Sequence, residues 1–191
     1  MSAPKRKKIV FVCTGNTCRS PMAELLLKRR LDELGLKGYT VNSAGIRARR
    51  GDVINPKSAQ VLEENGIVAE GFTSTKLTDK IVRESFAIVC MTESQKDFLT
   101  DMRWNAFKKA GEEAQENNVR SFCEITGYEV IDPYGKDIDC YRYVYGLLSA
   151  GIDRLIEKLD LRLHAYVPKT KKAVGAPKKR GRPRKNPVIT E

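Results

Sequence analysis

Residues 9–24 read IVFVCTGNTCRSPMAE, and the fold turns on them. Ile9, Val10, Phe11 and Val12 form an unbroken apolar run, the pattern of a strand covered on both faces, as in a parallel sheet. The run ends on Cys13. A small polar loop follows, and from Pro21 a helical stripe of Leu27, Leu31 and Leu34 runs to a stop at Gly35, with Ser20 expected as N-cap and Pro21 as the first helical residue. The stretch is strand, loop, helix. In a parallel sheet that loop lies where unpaired amides and a helix dipole converge, so it is suited to an anion. A phosphate fits TGNTCR: Gly15 lets the backbone close round an oxyanion, Asn16 tolerates a left-handed conformation, and Arg19 offers a planar fork to two phosphate oxygens. Cys13 lies at the floor, where the same amides and a hydrogen bond from Ser20 favour a thiolate. Cys13 is therefore the expected nucleophile and Cys18, on the loop wall, is not.

Taken alone, a cysteine at a strand end is an ordinary small buried residue, and a glycine loop before a helix is an ordinary connection. What carries the reading is Cys13, Gly15, Arg19, Ser20 and Pro21 together at one strand-to-helix junction.

The rest of the chain repeats the alternation. Strands are expected at Lys8–Cys13, Tyr39–Ser43 and Phe86–Met91, and a weaker fourth at Ser121–Ile125. Helices are expected at Pro56–Asn65, at Thr92–Leu99 behind a Thr-x-x-Gln box, and after DPYG, where Tyr141, Val144, Leu148, Ile152, Leu155 and Leu159 step by three and four around Gly151. Residues 101–120 read as a surface helix or an insertion. The pattern implies an α/β fold: a doubly wound open sheet of about four parallel strands with helices on both faces.

The chain has 191 residues, 41% of them hydrophobic, enough for one core in about 150 residues with tails. Its net charge of +11 is uneven. Residues 1–8 carry four Lys or Arg, and residues 161–191 carry ten against Glu191, leaving 21 basic and 23 acidic residues in 9–160. The expected organisation is a basic arm at 1–7, a catalytic domain at 8–160 and a basic disordered tail at 161–191. No apolar run suits a membrane span or a secretory signal, and five unclustered cysteines suit a reducing compartment, so a cytoplasmic location is expected. With no CxxC pair and a single histidine, His164, neither a metal nor a cofactor is expected.

The CTGNTCRS segment resembles the C-x5-R-[ST] phosphate loop of the low molecular weight protein tyrosine phosphatase family. VNSAG at 41–45 is similar to that family's S-A-G strand end, and IDPYG at 131–135 to its Asp-Pro acid loop. The resemblance covers roughly 8–160 and neither tail. It implies Cys13 as nucleophile, Arg19 as transition-state clamp, Ser20 as thiolate stabiliser, Asn16 as loop anchor held by Ser43, and Asp132 as general acid, with Thr14, Gly15, Thr17 and Cys18 completing the phosphate loop. Asp132 also follows from chemistry, because a thiolate attacking phosphorus needs a separate acid for the leaving group and the body has no histidine to supply it.

In tyrosine-directed family members the position of Thr17 tends to be aliphatic, and the acid loop often has consecutive aromatics. Here Thr17 and the lone Tyr134 form the expected substrate wall, and the loop looks more like that of bacterial protein arginine phosphatases. A hydroxyl and the Asp132 carboxylate suit a planar, charged guanidinium. The expected substrate is a phosphorylated protein, with phosphoarginine favoured over phosphotyrosine. Cys18 is expected to serve as redox partner, joining Cys13 on oxidation. One departure is Phe72 in GFTSTKL, where family members often carry a histidine that supports the loop. Two other readings are a thiol-dependent arsenate reductase, whose resolving cysteines are poorly matched by scattered Cys90, Cys123 and Cys140, and a non-catalytic binding module.

The tail segment PKKRGRPRKNP at 177–187 resembles an AT-hook, with its core at 178–185. Gly181 lets the backbone approach a groove floor, Pro183 keeps the chain extended, and Arg180 and Arg182 suit the narrow minor groove of A/T tracts. The resemblance implies A/T-rich DNA as a partner and a nucleoid-associated enzyme. Composition alone gives a solvated basic segment.

Overall fold

The computed structural model describes residues 6–113 and 116–165. Four parallel strands form one sheet: β1 (Lys7–Cys13), β2 (Tyr39–Gly45), β3 (Ala87–Cys90) and β4 (Val119–Ser121), in the order β2-β1-β3-β4. Among the described residues the helices are α1 (Arg19–Glu33), α2 (Pro56–Glu64), α3 (Asp79–Glu84), α4 (Glu93–Ala110), α5 (Phe122–Thr126), α6 (Ile138–Lys158) and α7 (Leu161–His164).

The unbroken apolar run of β1 is explained by two cores. Ile9, Phe11 and Cys13 pack with Met22, Leu27 and Leu31 of α1 and Val144, Leu148 and Ile152 of α6. Val10 and Val12 point the other way, onto Val82 of α3 and Leu99 of α4. Full burial of a side chain such as Phe11 or Leu27 is worth about 1.5–3 kcal/mol, so both faces reward apolar residues. The winding reverses at β1: the chain passes to β2 on one side and returns to β3 on the other. That reversal opens a crevice at the carboxyl end of β1, where α/β sheets bind ligands.

Several boundaries differ from the sequence reading. α1 begins at Arg19 with Cys18 as N-cap and no side-chain cap, rather than at Pro21 behind Ser20. The Ser20 hydroxyl is engaged elsewhere, as shown below. Ser121–Ile125 is not a strand: β4 ends at Ser121, whose hydroxyl accepts from the Glu124 amide while Glu124 accepts from the Ser121 amide, each at 3.0 Å. This reciprocal box starts α5 instead. Residues 101–110 complete α4, which ends where Gly111 turns left-handed at φ 67°. The short α3, capped by Thr78, lay outside the sequence reading.

The packed body also runs past residue 160: Leu161 is buried and its carbonyl accepts from the Tyr39 hydroxyl at 2.6 Å. Gly151, an unfavourable residue in mid-helix, is explained by close packing, since a Cβ there would lie 2.4 Å from the Phe122 ring. The AT-hook-like residues Arg180, Gly181, Arg182 and Pro183 lie outside the described residues.

Candidate active site

Cys13 ends β1 almost wholly buried, and residues 14–18 curve from it into α1. Its Sγ lies 3.0 Å from Ser20 Oγ and accepts from the Asn16 amide at 3.3 Å. Asn16 is fully buried and left-handed, at φ 55°. Its side chain fixes the loop. Oδ1 accepts from the Thr75 amide at 2.7 Å, which can only donate, so Nδ2 must face the two hydroxyls it reaches: Ser20 Oγ at 2.9 Å and Ser43 Oγ at 2.8 Å. Ser20 accepts there and keeps its own proton free for Cys13 Sγ whenever that sulfur is a thiolate, and Ser43 donates to Glu24 Oε2 at 2.6 Å. Glu24, itself buried, also accepts from Lys28 Nζ at 2.5 Å. Phe72 lines a second cavity of about 410 Å³ beside Glu24, Ser43 and Thr75. The Asn16 network therefore has its outer partner in Glu24, with no histidine needed.

Gly45 explains how the loop is held from behind. A Cβ there would come within 2.8 Å of both the Asn16 nitrogen and the Thr14 oxygen, so only glycine lets β2 run against the loop backbone. Ile46 and Arg47 amides then donate to the Cys13 and Thr14 carbonyls at 3.0 and 2.8 Å.

Arg19 is 4% exposed. Its NH1 donates to the Val130 carbonyl at 3.2 Å and its NH2 to Asp132 Oδ2 at 2.5 Å, while Nε has no partner among the described residues. Val130 is tied to the end of β3 through its amide and the Met91 carbonyl at 3.1 Å, which brings the Asp-Pro loop to the same sheet edge as Cys13. The Asp132 side chain is half exposed, and its Oδ1 accepts from the Tyr134 amide at 3.2 Å.

These groups surround a cavity of about 630 Å³. Cys13, Thr14, Gly15, Thr17, Cys18 and Arg19 line its floor, and Arg47, Arg49, Asp52, Val53, Ile54, Asn55, Pro56, Asp132 and Tyr134 its sides. Val53 and Tyr134 are 70% and 72% exposed at the sides of this cavity. The first turn of α1 has no acidic residue and no side-chain cap, so its donors and the unpaired Arg19 Nε suit an anion above Cys13. Cys18 lines the cavity but is itself buried, with its Sγ 3.7 Å from both Thr17 Oγ1 and Tyr141 Oη; burial raises its pKa and keeps it a thiol. Among the described residues no three His, Cys, Asp or Glu side chains converge as a metal site would require.

All sequence-singled residues of the body thus meet at one edge. The sequence reading missed Glu24, Arg47, Arg49, Asp52 and Val53. Glu24 lies one turn from Ser20 and reads as an ordinary helix charge. The basic run at 47–50 in an acidic body was a visible signal.

Residues 8–165 match the family described as low molecular weight phosphotyrosine protein phosphatase. The chain belongs to that family. It is 36% identical over 153 residues to the protein-arginine-phosphatase of Geobacillus stearothermophilus, covering 80% of this chain and 96% of that one. To the low molecular weight protein-tyrosine-phosphatase Etp of Escherichia coli K12 it is 30% identical over 165 residues, covering 84% and 99%. The YwlE arginine phosphatase structure from Geobacillus stearothermophilus superposes with a TM-score of 0.69 at 32% identity, over 83% of this low molecular weight phosphatase and 96% of that chain. The chain is thus a phosphatase of the cysteine-based low molecular weight class. No described helix is long and apolar enough to cross a membrane.

Proposed function

We propose that this phosphatase hydrolyses phosphoarginine in proteins through a phosphocysteine intermediate. The observation that carries the substrate is the polar cavity wall: the Thr17 hydroxyl and the Asp132 carboxylate both line the cavity that holds Cys13, where a flat apolar ring would want aliphatic contact. The similarity to an arginine phosphatase supports the same reading.

In the proposed sequence, Cys13 Sγ attacks phosphorus in line and the P–N bond to the guanidine breaks. Asp132, which has left Arg19 to the phosphoryl group and taken up a proton from solvent, gives that proton to the departing nitrogen. Arg19 and the loop amides hold the equatorial oxygens, where charge gathers in the transition state. Water then attacks phosphorus and yields its proton to Asp132. The P–S bond breaks, releasing phosphate and restoring the Cys13 thiolate. Ser20 holds that sulfur, and Asn16, Ser43 and Glu24 hold Ser20 and the loop.

The test is kcat/KM for a phosphoarginine and a phosphotyrosine peptide on wild type and Thr17→Ile. Wild type should favour phosphoarginine, and the variant should shift toward phosphotyrosine. A wild type that favours phosphotyrosine removes the arginine reading and leaves the family activity standing.

We also propose that the basic tail tethers the enzyme to A/T-rich DNA through Arg180 and Arg182, without taking part in the chemistry. This rests on sequence alone. Deleting residues 168–191 should abolish a preference for A/T-rich over G/C-rich duplex and leave kcat on a small phosphorylated substrate nearly unchanged. Equal affinity of the full chain for both duplexes would reduce the tail to a general polyanion binder.

A further inference from the structure

Between residues 9 and 160 the chain has eleven arginines. Eight place the guanidinium on a carboxylate or a carbonyl: Arg19, Arg29, Arg30, Arg83, Arg103, Arg120, Arg142 and Arg154. Arg47, Arg49 and Arg50 have neither hydrogen bond nor ion pair at the guanidinium among the described residues, and they fall within four positions on one exposed loop. Arg47 and Arg49 line the cavity above Cys13.

The loop that carries them is firmly held. The Arg47 amide donates to the Thr14 carbonyl at 2.8 Å, tying the rim to the phosphate loop. Buried Ser74 donates its hydroxyl to the Arg49 carbonyl and its amide to the Asp52 carbonyl, and accepts from the Gly51 amide. Two free cations are thus displayed from a fixed backbone, which lowers the ordering cost of meeting an anion. The carboxylates nearby do not cancel them: Asp132 is taken by Arg19, and exposed Asp52 makes no ion pair among the described residues. Within a body that carries more acidic than basic residues, Arg47 and Arg49 are the arginines among the described cavity-lining residues that have no ion pair.

We propose that Arg47 and Arg49 form a carboxylate-reading subsite, which selects phosphorylated residues flanked by Asp or Glu in an acidic peptide segment. Planar guanidinium forks bind carboxylates in pairs of hydrogen bonds, and exposed charges at a rim set partner choice and arrival rate. The proposal rests on the phosphatase reading of the cavity.

The experiment compares kcat/KM on two phosphoarginine peptides, one flanked by Glu and one by Lys, and on the same pair built on phosphotyrosine. Wild type should favour the Glu-flanked peptide about three- to tenfold at low salt, and the preference should shrink as salt rises. In the Arg47→Gln/Arg49→Gln double variant the ratio should fall to near one. Arg47→Glu/Arg49→Glu should invert it, a result that loss of structure would not produce. Turnover by wild type with no preference, a preference indifferent to salt, or one that survives in the double Gln variant would overturn the subsite alone. No turnover of any of the four peptides by wild type would overturn the phosphatase reading and the subsite with it.

Discussion

The floor of the cavity and its rim differ in what their polar atoms are doing. On the floor, Asn16 commits its amide oxygen and both hydroxyl contacts of Nδ2 inside the protein, and Ser20, Ser43 and Glu24 are buried links of one chain. On the rim, Arg47, Arg49, Val53 and Tyr134 stand exposed on loops whose backbones are tied, and their side chains make no hydrogen bond or ion pair among the described residues. A satisfied buried network holds one geometry, because any rearrangement strands a polar group at about 1–3 kcal/mol. Free rim groups cost nothing to redirect. Chemistry belongs on the first surface and partner choice on the second.

The sharpest way to break that division is at the sulfur. Cys13→Ser should remove turnover below detection while circular dichroism and Tm stay near wild type, and Asp132→Asn should lower kcat by about 10² to 10⁴. Full activity in Cys13→Ser, or an Asp132→Asn rate equal to wild type, would reassign nucleophile or acid. A smaller effect sharpens the contrast in stability. Gly45→Ala drives a methyl group into the backbone of Thr14 and Asn16, and overpacking of this kind costs about 1–3 kcal/mol, so thermal unfolding should begin several degrees lower and kcat should fall with it. Arg49→Ala on the rim should move Tm by less than about 0.5 kcal/mol would. Equal melting of the two variants would erase the distinction.

What could be read in advance follows the same line. The strand, loop and helix around Cys13 were legible because local rules agree there: an apolar run, a glycine, an Asn in the left-handed region and a helix stripe all describe one junction. The start of α1 was misread because Ser20 and Pro21 look like a cap and a first turn. The Ser20 hydroxyl is drawn instead to Cys13 and Asn16, a tertiary demand that outweighs about 1 kcal/mol of capping. The Ser121–Glu124 box was present in the sequence and was outvoted by β-prone Phe122 and Ile125. Glu24 was not legible as a site residue, and the basic run at 47–50 was visible without a place in the site. Their roles depend on β2 lying beside β1, which brings Ser43 to Glu24 and the run after Gly45 to the cavity mouth.

The resting ion pair between Arg19 and Asp132 gives substrate capture the character of a salt metathesis. An arriving phosphoryl group finds Arg19 Nε open and NH2 already on the carboxylate, so it adds at the first and competes at the second. If the arginine proposal holds, the guanidinium of the substrate takes the place beside Asp132 that Arg19 gives up to the phosphoryl group. The selectivity ratio of the two peptides reads how much of that exchange is kept in the transition state.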